Sequence, residues 1–297
     1  MHKHRKLVSG MALALAALPL AAAASEGGKS AYPNGAEDFM VGAAPPPGTY
    51  FINYLLNYNA DQLNDGSGNN MIPGLDLNVW ADVMRFLHIT NYKILGGNWG
   101  VHLFVPVLSV DVSIPGPPES KKSGLGDLLF SPFIVTWHHS KNLHSVFAID
   151  IYAPTGSFEK TRIANTGLNY WTFQPVYAAS YISDEGWEAS AKFMYDFNTE
   201  NSDTNYKSGQ AFHFDYTLAK HFPGWAIGVG GYYFTQTTGD SGSGAPSGGF
   251  EGKAFAVGPQ VMFDIGKVKA IFKYQWETKT ENRPEGNNFW FKLIVPF

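Results

Sequence analysis

The chain has 297 residues, no cysteine, 21 Lys and Arg against 25 Asp and Glu, and a formal net charge of −4. Phosphate binding needs clustered cations, so an acidic balance without a basic run excludes a nucleic-acid partner. Charged residues make up only 15%, against about 25% in an average globular domain, aromatics also 15%, and glycines number 32. Yet mean hydropathy is slightly negative, and past the N-terminal leader no stretch has the about eighteen consecutive apolar residues of a spanning helix. Few charges, many aromatics and no long apolar run suit a transmembrane β-barrel, where only every second residue meets lipid.

Residues 1–24 have a positive head (Lys3, Arg5, Lys6), an apolar stretch from Met11 to Leu20 and a small-residue site at Ala22–Ala24. That is the pattern of a cleaved secretory signal peptide. No strand pattern follows over residues 25–48, and Pro45-Pro46-Pro47 stiffens the exit of this segment. It is expected to act as a periplasmic or plug segment folded into the periplasmic mouth, with Asn34, Glu37, Asp38 and Phe39 touching the lumen.

From residue 49 to 297 a period-two pattern predicts an all-β fold, an antiparallel up-and-down barrel of about twelve strands. The first strand, 49–59, sets Tyr50, Ile52, Tyr54, Leu56 and Tyr58 against Asn53 and Asn57. Further strands are expected near 74–87, 98–109, 126–137, 144–153, 169–182, 187–198, 210–220, 225–236, 253–265, 268–278 and 287–297. Their connections alternate long and short, as in outer-membrane barrels with short periplasmic turns and longer external loops. Only 88–98 is longer than the rhythm asks. "SDEG" (183–186) and "HFPG" (221–224) read as periplasmic, "SGSGAPSGG" (241–249) and "NRPEG" (282–286) as external. An even strand count puts both termini in the periplasm.

The last strand, "NNFWFKLIVPF", carries Phe289, Phe291, Leu293, Val295 and Phe297 on one face. That face is expected to meet outer-membrane lipid and to seal the barrel against the first strand. A terminal Phe behind alternate apolar residues also resembles the signal read by the barrel assembly machinery, with Pro296 a departure from its usual form.

A Lys turned to lipid at mid-bilayer costs about 2–4 kcal/mol. Strand parity therefore places Lys269, Lys273, Gln275 and Lys292 in the lumen, with Asp196, His213 and Asp215, and with Asp76 and Asp82. Asp127, Asp150, Tyr152 and Lys192 complete the candidate pore lining. Trp80, Tyr152 and Tyr232 are the inward aromatics that could stack on an apolar solute. Tyr50, Tyr58, Trp187, Trp225, Tyr233, Trp276 and Trp290 lie near strand ends, where interfacial belts form.

No P-loop, dinucleotide fingerprint, nucleophile elbow or zinc-protease motif occurs, and no cofactor or metal is expected. His138, His139, Ser140 and Asn142 have the residue types of a hydrolase but fall on a short turn. Asp127 and Asp150 could form an acid–base pair, or simply line a wet lumen. "NDGSGNN" and "TGDSGSG" are acidic and glycine-rich but lack the ligand spacing of a calcium loop.

Six segments in order are similar to the outer-membrane family called putative MetA-pathway of phenol degradation. They are "YPNGAEDFMVGAAPPPGTYF" (32–51), "GLGDLLFSPFIVTWH" (124–138), "YKSG" (206–209), "GGYYFTQTTGD" (230–240), "VGPQV" (257–261) and "NRPEGNNFWFKLIVPF" (282–297). The resemblance implies a barrel in the bacterial outer membrane associated with uptake of aromatic or other hydrophobic compounds, and assigns no catalytic or binding residue. The leading expectation is a passive channel for small apolar or aromatic solutes and not an enzyme. A lipid-acting barrel enzyme and a structural or adhesive barrel are the alternatives.

Overall fold

The computed structural model describes residues 24–116 and 118–297, so almost all of the expected signal peptide lies outside the described residues. The strands, in chain order, are β1 (Gly48–Leu63), β2 (Asp76–Ile94), β3 (Gly97–Ser113), β4 (Ser120–Leu125), β5 (Leu128–His138), β6 (Leu143–Ala153), β7 (Thr172–Ile182), β8 (Trp187–Asn198), β9 (Ala211–Phe222), β10 (Trp225–Gln236), β11 (Lys253–Ile265), β12 (Val268–Glu281) and β13 (Pro284–Pro296). Each pairs antiparallel with its neighbours, and β1 closes the ring on β13 in a register that matches Phe51 with Val295 and Asn57 with Phe289. β4 and β5 pair with successive stretches of β3, Val107–Val112 and Asn98–Phe104. They act as one stave interrupted at Gly126–Asp127, which makes a closed barrel of twelve staves.

The outer face explains the composition. Phe193 and Phe197 of β8, Leu218 of β9, Phe272, Tyr274 and Trp276 of β12 and Phe289 of β13 are all exposed. The residues alternating with them, such as Met194, Asp196, His213, Lys273 and Lys292, are buried inside. Trp187, Tyr181 and a stacked Phe222–Trp225 pair (4.6 Å between ring centroids) ring the end that holds the chain's C-terminus, and Trp171, Phe197 and Trp276 ring the other. Aromatic rings at both rims are what a barrel crossing a bilayer presents at the two interfaces.

Three features depart from the sequence expectations. The 88–98 connection is a hairpin: β2 and β3 run on to a two-residue turn at Leu95-Gly96, where φ of 53° and 80° gives the mirror-image turn that matches strand twist. The last connection is also tight, Asn282-Arg283, because residues 284–288 are strand. And β2 faces the opposite way to the one its charges suggested. Ile52, Tyr54 and Leu56 point inward with Ala81 and Leu87, while Asp82 lies on the outer face, taking a hydrogen bond from Asn53 Nδ2 at 2.5 Å. Asp76 shares that outward parity with the exposed Trp80 and Phe86. These three of the expected lumen residues, Asp76, Asp82 and Trp80, therefore do not line the lumen. The physical reason is Arg85. It and Asp82 have opposite parity, so one must face outward, and an acid costs less there than a base.

Candidate functional site: the barrel lumen

Residues 24–47 thread the whole lumen instead of stopping at one mouth. At the long-loop end Ala24 N donates to Asn282 O (2.8 Å), Ser25 N to Asp240 Oδ2 (2.9 Å) and Glu26 N to Ser208 Oγ (3.1 Å). Midway, Asp215 of β9 accepts from Tyr32 OH (2.5 Å), Gly35 N (2.9 Å) and Glu37 N (2.9 Å). Gly35 has φ of 81°, and a Cβ there would sit 2.3 Å from Gln275 Oε1, so the tight turn against β12 requires glycine. Toward the C-terminal end Phe39 packs on Ala219, Ala226, Met262 and Ile271, and Met40 N and Gly42 N donate to Glu188 and Ser180. The prolines then lead out to β1, where Tyr50 OH donates to Pro46 O.

Charge fixes the middle of this thread. Lys273 Nζ donates to Ala36 O (2.7 Å), Glu37 O (3.0 Å) and Asp38 Oδ2 (3.3 Å). Lys292 Nζ reaches Glu37 Oε2 (2.8 Å) and Asp38 Oδ1 (3.1 Å), and Arg85 completes the cluster on Glu37 Oε1 (3.4 Å). Arg85 also donates to His102 Nδ1 (3.1 Å) while His102 Nε2 meets Asp150 (3.0 Å). An acceptor role for Nδ1 puts the imidazole proton on Nε2, so this pair is held without a second charge. Asp196 is similarly tied to His213 (3.2 Å) and Gln174 (2.6 Å), and Tyr152 OH to Gln174.

Above the thread, on the side of β1–β3, lies a cavity of about 340 Å³. Its wall is apolar: Leu56 and Leu63 from β1, Leu77, Val79, Ala81 and Val83 from β2, Phe104, Leu108, Val110 and Val112 from β3. Tyr32, Asn34 and Glu37 form its floor, and Ile163–Leu168 of the β6–β7 loop its roof. That loop is anchored by Asp127, which accepts from Gly156 N (2.8 Å) and Leu168 N (2.7 Å). Asp127 and Asp150 thus have separate partners and make no acid–base pair.

The remaining candidates divide. Lys273, Gln275, Lys292, Lys192, Tyr152, Asp150, Asp196, His213 and Asp215 are buried in the lumen. Lys269 has inward parity but sits at the rim, paired with Asp264 beside the Gly266–Lys267 turn. Trp290 and Tyr58 are not belt residues: Trp290 is buried 5.1 Å below Lys273 Nζ, and Tyr58 OH donates to Glu277 (2.8 Å). Glu277, which also accepts from Tyr232 OH and Gly286 N, was not expected at the site. Nor were Tyr32, Arg85, His102 and Glu188. Arg85 was findable, since it has the parity of Val83 and Leu87. His138 is the last residue of β5 and His139 opens the β5–β6 turn, bonded to His144 and Ser145 respectively. Asp65 caps its own loop through Ser67 N and Asn69 N, and Asp240 takes Ser25 N, Tyr206 OH, Gly209 N and Gln236 Nε2. Both carboxylates are thus taken by protein donors, Asp65 within its own loop and Asp240 from neighbouring elements. Burial, then Asp240 itself, push the Tyr206 hydroxyl well above its ordinary pKa, so it stays a donor in this latch.

The COG4313 outer membrane channel of Pseudomonas putida F1 superposes with a TM-score of 0.79 at 16% identity, covering 88% of this chain and all (100%) of its own. The β domain of the Bordetella autotransporter BrkA aligns at a TM-score of 0.49 and 12% identity, over 84% of this chain and 100% of its own. No curated protein matched the sequence. The family described as "Putative MetA-pathway of phenol degradation" matches residues 60–293, well over half of the chain, and the chain belongs to that family.

Proposed function

We propose that this protein is an outer-membrane channel through which small hydrophobic or aromatic compounds are taken up passively, with residues 25–48 as its plug. One observation carries the reading: the lumen holds a cavity whose wall on β1–β3 is apolar. A general porin keeps a polar interior around an aqueous path. Here Leu, Val and Phe side chains that could have faced lipid are turned inward on three consecutive strands, which suits a guest that leaves water willingly. The thread through the lumen blocks free ion flow, and its polar contacts give it a defined seat from which it can be displaced. Family membership and the likeness in fold to an outer-membrane channel support the same location and role.

The test is single-channel recording of the purified protein in planar bilayers. Small conductance is expected, reduced in a concentration-dependent way by phenol or toluene as either fills the cavity. Deleting residues 26–44 should raise the conductance severalfold. Unaltered current with both aromatics, together with no measurable binding, would refute the reading.

A further inference from the structure

The cavity has an uneven charge inventory. Three carboxylates line it, Glu37, Asp127 and Glu277. Each is occupied: Glu37 by Lys292 and Arg85, Asp127 by two backbone N–H groups, and Glu277 by two tyrosine hydroxyls and Gly286 N. Three cations line it too, Lys29, Lys192 and Arg283, and none of them is ion-paired among the described residues.

Lys192 is the most enclosed of the three, with 7% of its surface exposed. It belongs to β8, across the lumen from the apolar wall on β1 and β2. Its Nζ lies 4.5 Å from the centre of the Tyr32 ring. A ring face offers electrostatic attraction but accepts none of the three ammonium N–H bonds in the way an oxygen does. The acid opposite Lys192 in the β8–β9 register is Asp215, whose oxygens already take Tyr32 OH, Gly35 N and Glu37 N. Asp150 and Asp196 are likewise held by His102 and His213. A buried ammonium without an oxygen partner is costly, and the space it faces is the cavity itself.

We infer that the cavity selects its guest by an anionic head. The ligand class is an amphiphilic organic acid, an ionised carboxylate on an apolar body, with the carboxylate on Lys192 and the body against the wall of β1–β3. The inference rests on the channel reading above and narrows its solute. A charge-assisted contact supplies the orientation, and the hydrophobic wall the bulk of the affinity.

Three probes with one apolar body separate the possibilities: 4-butylbenzoate, 4-butylbenzyl alcohol and 4-butylbenzylamine, titrated calorimetrically into the purified full chain. The benzoate is expected to bind at least about tenfold tighter than the alcohol, and the amine more weakly than either. Lys192→Gln should bring the benzoate down to the affinity of the alcohol while leaving the alcohol within about twofold of its original value. Lys192→Arg should keep the preference, which a merely structural role would not require. Heat-shifted gel mobility reports whether each variant is folded, and the wild-type comparison among the three probes stands without any variant. Equal binding of benzoate and alcohol by the wild type, or an undiminished benzoate preference in folded Lys192→Gln, overturns the inference and leaves the channel reading intact. Binding of none of the three overturns both.

Discussion

Asp38 is the residue on which the seat of the N-terminal thread depends most, and Asp38→Asn is the perturbation that measures it. The carboxylate is fully buried and shared by two ammonium groups, Lys273 at 3.3 Å and Lys292 at 3.1 Å, with Lys273 itself 1% exposed. Neutralising it leaves Lys292 with Glu37 and Lys273 with two carbonyl oxygens. Removing one partner of a buried pair costs about 3–5 kcal/mol, and here the loss falls on Lys273, left buried with carbonyl dipoles but no counter-ion. The cost falls on the seated state alone, since with the thread displaced water reaches both lysines. At about 1.4 kcal/mol per decade, the seated-to-displaced ratio should fall by about two to three and a half orders of magnitude. Open probability in planar bilayers and protease cleavage within residues 26–44 read that ratio directly. The double variant Asp38→Asn/Lys273→Met should recover part of the loss, because the stranded ammonium is gone, and this non-additivity identifies the mechanism. Asp38→Asn protein that is folded by gel mobility yet gates and resists protease like the parent would refute the reasoning.

Lys273→Glu should leave assembly intact while expelling the thread, since it sets a third acid beside Glu37 and Asp38; its neighbour Phe272→Glu should lower the yield of heat-modifiable protein. Phe272 is exposed on the outer face and packs on Phe291 at 4.8 Å between ring centroids, so a charge there costs about 2 kcal/mol in lipid and lost stacking. Equal yields would show that the two faces of β12 are misassigned. Gly35→Ala should also unseat the thread, through its positive φ and the 2.3 Å approach to Gln275, and is read as higher conductance at unchanged barrel stability. An epitope tag inserted at Gly244–Ser247 should be labelled on intact cells and one at Asp184–Gly186 only after permeabilisation; reversed labelling would invert the barrel in the membrane.

Much of the fold was legible because lipid imposes a strict rule. Phe212, Phe214, Tyr216 and Leu218 must alternate with His213, Asp215 and Thr217, and the structure puts them on the outer and inner faces of β9 accordingly. The rule loses its force on β1–β3. There the lumen is itself apolar, so both faces carry greasy residues and the charges mislead: Asp82 reads as a lumen residue until Arg85, three positions on, demands the inside. β4 went unseen because "SKKSGL" is polar and short, and its side-chain links to β3, Lys121 to Asp111 and Ser123 to Ser109, join polar residues that read as loop. The lumenal cluster was half legible. Lys273, Lys292, Glu37 and Asp38 stand out as charges that lipid forbids or a plug would use, but nothing local says that the two acids sit between the two lysines. Those pairs join residues more than 230 positions apart.

The course of the thread constrains the order of assembly. Ser25 N rests on Asp240 among the long loops, at the opposite end of the barrel from Gly48, where β1 begins. The donors that hold the thread, Lys273 and Lys292, come from β12 and β13, the last strands to be made. Residues 25–47 thus cannot hold this seat until β12 and β13 are in place. A chain stopped short of β12 has neither lysine to hold Glu37 and Asp38, so seating the thread is coupled to completion of the barrel.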